Sequence, residues 1–159
     1  MTGVAEIKRI IPHRFPVLLV DRVSEVDPGR TLVAHKAVSG REPCYDGLAD
    51  DADHAYPIGL LLESWAQCAV LLTRWDSPNP DVLADKVELI TGIRGVSLLA
   101  PVYPGDVLTH HVRLVREVDD AAILAGHSTV GGRTVLEIGT FTMARRGVEV
   151  LRPERGVVA

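Results

Sequence analysis

One acid, Glu63, stands inside a run otherwise suited to a protein interior. From Ile58 to Trp75 the chain reads IGLLLESWAQCAVLLTRW, and Glu63, Ser64 and Gln67 are its polar interruptions. Apolar residues on nearly every face mark a buried helix. Positions 63 and 67 are four apart and share a face. A carboxylate is costly to bury in its charged form, so an acid in this setting is expected to hold its proton nearer neutral pH. A general acid requires that property. A structural glutamate, paired to an arginine or bonded to a strand backbone group, fits the same pattern, and residue types leave both roles open.

The other titratable groups divide by setting. His54 follows the acidic run Asp50-Asp51-Ala52-Asp53, nine residues before Glu63. Its imidazole has the intrinsic pKa of a base; as an exposed histidine among aspartates it would be a poorer one. His110 and His111 are adjacent in a strand-like run and point to opposite faces, which argues against a metal site. His35 and His127 are lone strand histidines. Cys44 and Cys68 have no metal-ligand spacing and read as reduced thiols of a cytoplasmic protein, Cys68 as a small core residue. Tyr45 and Tyr56 flank the loop that carries His54.

These residues need elements to hold them. Val4–Ile11 is a short amphipathic piece closed by Pro12. Val17–Val26 reads as a strand, Asp27-Pro28-Gly29 as a turn, and Thr31–Ser39 as the returning strand. Gly40–Tyr56 lacks periodicity and forms a loop of about fifteen residues, a length usually functional or disordered. Pro57 suits a helix start, and Asp76-Ser77-Pro78-Asn79-Pro80 ends the helix. Val87–Leu99 follows, and then Val107–Val118, Ala121–Val130 and Thr134–Ala144, three runs joined by tight polar turns, as an antiparallel meander. A long buried helix with about five antiparallel strands predicts an α+β fold, the sheet wrapped around the helix. The 159 residues suit one domain, 1–159, with 145–159 as a partly frayed tail. A hydrophobic share of 47% and a net charge of -4 indicate a globular chain with no electrostatic call for nucleic acid or anionic membrane. The longest apolar segments are too short to span a bilayer.

Four fragments, taken in order, resemble a known family. IIPHRFPVLLVDRV (Ile10–Val23), YPIGLLLESWAQ (Tyr56–Gln67), LAPVYPGDVL (Leu99–Leu108) and GRTVLEIGTFTMARR (Gly132–Arg146) are similar to signatures of the FabZ-type 3-hydroxyacyl-acyl-carrier-protein dehydratases. The resemblance implies a hot-dog fold, usually a dimer whose sheets join edge to edge. The site would lie in a tunnel at the dimer interface that receives an acyl chain on the phosphopantetheine of an acyl carrier protein, with no other cofactor and no metal. It maps the family's acid onto Glu63 and its companion glutamine onto Gln67. The helix-start backbone donors map onto Ile58 and Gly59, although Gly59 follows Pro57 by two positions rather than one. Tyr45 and Tyr56 would line the tunnel mouth, although packing explains them equally well, and His13, in Pro-His-Arg, frames the site.

One departure bears on activity. The family's loop carries Gly-His-Phe-Pro-Gly, and here Leu48, or Ala49 when counted back from Glu63, stands where that histidine belongs. Neither accepts a proton. Three readings follow: a dehydratase of fatty-acid or polyketide synthesis with Glu63 as acid and His54 as relocated base; an incomplete subunit lending Glu63 to a heterodimer with a histidine-bearing relative; or an acyl-thioester-binding or thioesterase hot-dog protein.

Overall fold

The computed structural model describes residues 1–81, 83–84 and 86–151. The elements run β1 (Thr2–Gly3), α1 (Val4–Ile10), β2 (Arg22–Asp27), β3 (Thr31–Ala37), α2 (Ile58–Arg74), β4 (Lys86–Leu98), β5 (Val107–Val118), β6 (Ala121–Val130) and β7 (Arg133–Gly147). Among the described residues the strands form one antiparallel sheet of order β1-β2-β3-β5-β6-β7-β4. Helix α2 packs on β3, β5 and β6. This is the α+β hot-dog arrangement that the resemblance implies.

The expected meander is β5–β6–β7. Its tight turns use left-handed backbone at Asp119 (φ 51°) and at Gly131 and Gly132 (φ 55° and 83°), the Gly-Gly pair suiting a turn with two positive φ values. Strand β4 does not continue that meander. Among the described residues it pairs only with β7, at the far edge of the sheet, and the unexpected two-residue β1 brings the strands to seven where about five were expected.

Two expectations are corrected at segment ends. The strand read from Val17 begins only at Arg22. The backbone of Val17–Leu19 bonds to side chains of α2 instead of a neighbouring strand: Gln67 Nε2 donates to Val17 O (2.6 Å), Leu19 N–H donates to Gln67 Oε1 (2.8 Å), and Ser64 Oγ donates to Leu19 O (2.6 Å). Apolar β-branched composition cannot distinguish those partners from a strand's. The tail expected to fray from 145 stays in β7 to Gly147, which pairs with Lys86, and a 3-10 turn spans Val148–Leu151. Residues 152–159 lie outside the described residues.

The core follows strand alternation. Leu108, His110 and Val112 of β5 face inward with Leu32, Ala34 and Lys36 of β3. Trp65 of α2 is fully buried, edge-on to Phe141 of β7 at 5.4 Å, with its indole N–H donated to His111 O (3.2 Å). This helix–sheet contact depends on Gly126 in β6. A Cβ there would lie 1.9 Å from His111 O and 3.0 Å from the Trp65 ring. Gly126→Ala should therefore destabilise the fold by roughly 3 kcal/mol, the upper range for overpacking. Urea unfolding checks this, and a midpoint equal to wild type would show that β5 and β6 can part without cost.

Candidate active site

The first turn of α2 and the segment before it set the geometry. Pro57 gives the helix no side-chain cap, and the N–H groups of Leu60 and Leu61 both return to Pro57 O at 3.0 Å. The N–H groups of Ile58 and Gly59 remain as helix-start donors at the positive end of the dipole. Both residues are exposed, and a Cβ added at Gly59 would meet nothing within 4 Å.

One turn on, Gln67 holds Glu63. The Gln67 amide is buried, and its Nε2 also donates to Glu63 Oε1 (2.8 Å) while it bridges Val17 and Leu19. The glutamine is thus immobilised by backbone and presents an N–H to one carboxyl oxygen. The expectation of a fully buried Glu63 is corrected: its side chain is 37% exposed. The sheet of this chain covers α2 from Leu61 onward but leaves the Glu63 side open to a cavity. No arginine pairs with Glu63 among the described residues, and Arg74 pairs with Glu88 instead.

That cavity, of about 160 Å³, has a mostly apolar lining that includes Ala66, Val70, Val87, Ile90 and Met143. Its polar lining is His13, Glu63, Gln67, Asn79 and Glu88. His13 Nε2 lies 3.5 Å from Glu63 Oε1. Burial lowers the His13 pKa more than the Glu63 carboxylate raises it, so the ring is neutral at pH 7. Sequence reasoning gave His13 only a framing role. The available signal was the Pro-His-Arg turn directly before the segment that Gln67 grips, but the sequence shows no contact between them.

His54 sits apart from this cavity. Its ring is half-buried and stacked on Tyr45 (5.9 Å between centroids), with Nδ1 2.7 Å from Ala52 O. A carbonyl only accepts, so Nδ1 carries a proton, and in the neutral ring this leaves the lone pair that a base requires on Nε2. The loop around it is pinned by Glu42, which accepts from Lys36 Nζ and Ser39 N–H at Oε1 (3.0 Å each) and from Tyr56 hydroxyl at Oε2 (3.0 Å). Tyr56, expected at the tunnel mouth, is thus a buried clamp whose burial and Glu42 push its hydroxyl pKa up. Leu48 projects from the same loop, 42% exposed.

Behind Glu63 lies a buried relay. Ser64 Oγ spends its proton on Leu19 O, so it accepts from His110 Nε2 (2.8 Å), and His110 Nδ1 accepts from Ser128 Oγ (2.8 Å). Burial holds His110 neutral, its pKa pushed down to about 3. His111, on the opposite face as expected, stacks on His127 at 4.5 Å. Among the described residues no group of three potential ligands could hold a metal, and no helix is long and apolar enough to cross a membrane. Cys44 and Cys68 are free thiols, Cys68 in the core.

No family model matches the chain. Curated relatives do. The chain is 40% identical over 141 residues to a 3-hydroxyacyl-acyl-carrier-protein dehydratase FabZ of Anaeromyxobacter sp., covering 88% of each protein. It is 35% identical over 139 residues to the FabZ of Nitratiruptor sp., covering 86% of this chain and 93% of that one. Among solved structures, the dehydratase heterocomplex ApeI:P from Xenorhabdus doucetiae superposes with a TM-score of 0.73 at 16% identity, over 92% of this chain and 97% of that one. A hypothetical thioesterase with coenzyme A from Streptococcus pneumoniae gives 0.57 at 17% identity, over 79% and 85%. At those identities the solved structures speak to the fold alone.

The relay has a consequence for pH. Unfolding returns His110 to the ordinary histidine value, so between about 6.5 and about 3 the unfolded chain binds a proton that the folded chain refuses. Stability from neutral His110 is present above 6.5 and drains away as pH falls. His110→Gln keeps an N–H for Ser64 but does not titrate. The stability gap between wild type and this variant should narrow by up to about 1.4 kcal/mol per pH unit below the histidine range. Urea melts from pH 7.5 to 4.5 measure it, and a gap independent of pH would show that the folded ring takes up the proton too.

Proposed function

The chain belongs to the FabZ family of 3-hydroxyacyl-acyl-carrier-protein dehydratases, and from that membership we propose that it dehydrates 3-hydroxyacyl thioesters carried on the phosphopantetheine of an acyl carrier protein, in fatty-acid or polyketide assembly. The observation that carries this reading is the Glu63 carboxyl, fixed by a backbone-anchored Gln67 in the lining of a mostly apolar cavity.

The elimination needs a base to take the proton from carbon 2 and an acid to give one to the hydroxyl on carbon 3. As the carbon–oxygen bond breaks, the carbon 2–carbon 3 double bond forms and water leaves with the Glu63 proton. The thioester oxygen gains charge in between, and the N–H groups of Ile58 and Gly59 are its donors. The apolar lining of the cavity takes the acyl chain. No step calls for a metal or a further cofactor. The free thiols fit a reducing, cytoplasmic setting.

The base comes from His54, whose free Nε2 is in the required form. Since His54 lies outside the Glu63 cavity of its own chain, the reading places it across a dimer interface, from one protomer towards Glu63 of the other. Strand β4 is the edge for that dimer: its outer side is unpaired among the described residues, and Ile90, Ile93, Val96 and Leu98 are exposed along it. A long apolar edge strand invites pairing with another strand. A second reading rests on Leu48 and Ala49, the two loop positions that the resemblance aligns with the family's histidine and neither of which is a base: a mixed dimer in which this chain lends Glu63 to a histidine-bearing partner.

Glu63→Gln should fold normally and lose 10²- to 10⁴-fold in turnover, the usual contribution of one acid–base group, as measured by enoyl-thioester formation. His54→Ala should lose a similar factor if the homodimer is the active form. A chain inert by itself that gains Glu63-dependent activity on mixing with a histidine-bearing relative would establish the mixed dimer. Light scattering should give a species near twice 17.2 kDa or larger. Val96→Lys should shift it towards monomer, and an unchanged mass would remove β4 as the interface.

A further inference from the structure

His13 meets the Glu63 oxygen that Gln67 already holds. Glu63 Oε1 accepts from Gln67 Nε2 at 2.8 Å, and His13 Nε2 lies 3.5 Å from the same atom. The latter contact becomes a hydrogen bond with a few tenths of an ångström of closure, a change common when a substrate fills an active site. The other ring nitrogen, His13 Nδ1, is buried without a hydrogen-bond partner. A neutral imidazole has one N–H and one lone pair. An orphaned buried N–H is rarer and costlier than an under-used acceptor. The proton therefore belongs on Nε2, the nitrogen facing Glu63, and the idle lone pair on Nδ1. That arrangement aims two N–H groups at Oε1 and none at Oε2.

We infer that His13 is a positioning residue for the acid: its Nε2–H and the Gln67 amide together engage Glu63 Oε1, so that the proton to be delivered rides on Oε2. The inference rests on the reading of Glu63 as the general acid. A proton on Oε1 would collide with two donors, so a protonated Glu63 carries it on the other oxygen, which has no protein donor among the described residues. As Oε2 releases that proton to the departing hydroxyl, negative charge spreads over the carboxylate and both contacts at Oε1 strengthen. An interaction that strengthens as the barrier is climbed accelerates the step rather than tightening substrate binding. His13 itself neither gives nor takes a proton. It must stay neutral to act, because an imidazolium would hold Glu63 as a carboxylate with no proton to give. Burial keeps it neutral against Glu63 of α2 and Glu88 of β4, with Arg14 of its own segment acting in the same direction as burial.

The test combines spectroscopy with kinetics on the full chain, as wild type, His13→Ala, His13→Gln and Glu63→Gln. With ¹⁵N-histidine labelling, long-range proton–nitrogen spectra near pH 7.5 should show His13 as the Nε2–H tautomer. In Glu63→Gln the Nε2 resonance of His13 should shift, because the carboxyl group that it faces is replaced by an amide. In dehydration assays on a 3-hydroxyacyl carrier-protein thioester, His13→Ala should lower kcat by about tenfold to a hundredfold, the rate equivalent of one hydrogen bond to a charged group, with KM little changed. His13→Gln restores a side-chain N–H and should recover most of that loss, which a purely structural role would not produce. The Nδ1–H tautomer, a His13 Nε2 resonance indifferent to Glu63→Gln, or wild-type kcat in His13→Ala would each overturn the inference. If the spectra come out as expected but Glu63→Gln retains full turnover, the pairing of His13 with Glu63 stands and the assignment of Glu63 as the acid falls. A chain with no turnover of its own leaves the decision to the tautomer and the Nε2 resonance.

Discussion

The buried amide of Gln67 is the constraint on which the rest of this structure depends. It satisfies the backbone of Val17 and Leu19, which have no strand neighbour, and it holds one oxygen of Glu63. An unpaired amide at that depth would cost several kcal/mol, so its three bonds form together or the segment does not dock. Ser64 repeats the device one turn earlier, tying Leu19 to the buried His110 and, through it, to Ser128 of β6. The polar interruptions of an otherwise apolar helix thus act as the missing neighbour for residues 17–19. By fixing that segment they also fix the Pro-His-Arg turn that brings His13 to the acid.

The chain by itself leaves the site partly open. Helix α2 is sealed by the sheet from Leu61 onward, but Ile58, Gly59 and Glu63 face solvent or the cavity. The apolar edge of β4 adjoins the same region, since Val87, Glu88 and Ile90 line the cavity. This openness, beside a strand edge that is unpaired among the described residues, is what the proposed dimer rests on. The separation of His54 from Glu63 within one chain has the same origin: the loop and the helix face belong to different walls.

Three histidines show how setting assigns roles to one side chain. His110, enclosed between two serines, is locked neutral and serves the fold. His54, with Nδ1 bonded to a carbonyl and Nε2 free, has the form of a base. His13, half-enclosed against a carboxyl, has the form of a donor. The partner of one nitrogen decides the chemistry of the other.

Much of this was legible in the sequence. The period of the Ile58–Trp75 run and the polar turns between the later strands specified a buried helix and an antiparallel sheet, because hydrophobic spacing is a direct record of which face is covered. The acid and its glutamine could be read together because four residues in a helix place two side chains on one face. Other features depended on contacts between residues 14 to 50 positions apart, and no local pattern encodes these. Val17–Leu19 has the composition of a strand yet bonds to helix side chains. Tyr56 looked like a lining residue yet clamps Glu42. Glu63 looked buried yet lies on the side of α2 that this chain's sheet leaves uncovered. His13, for which the sequence argued little, was brought to the acid by the docking of its turn beneath Gln67. Periodicity reports whether a residue is covered; only the tertiary structure decides what covers it.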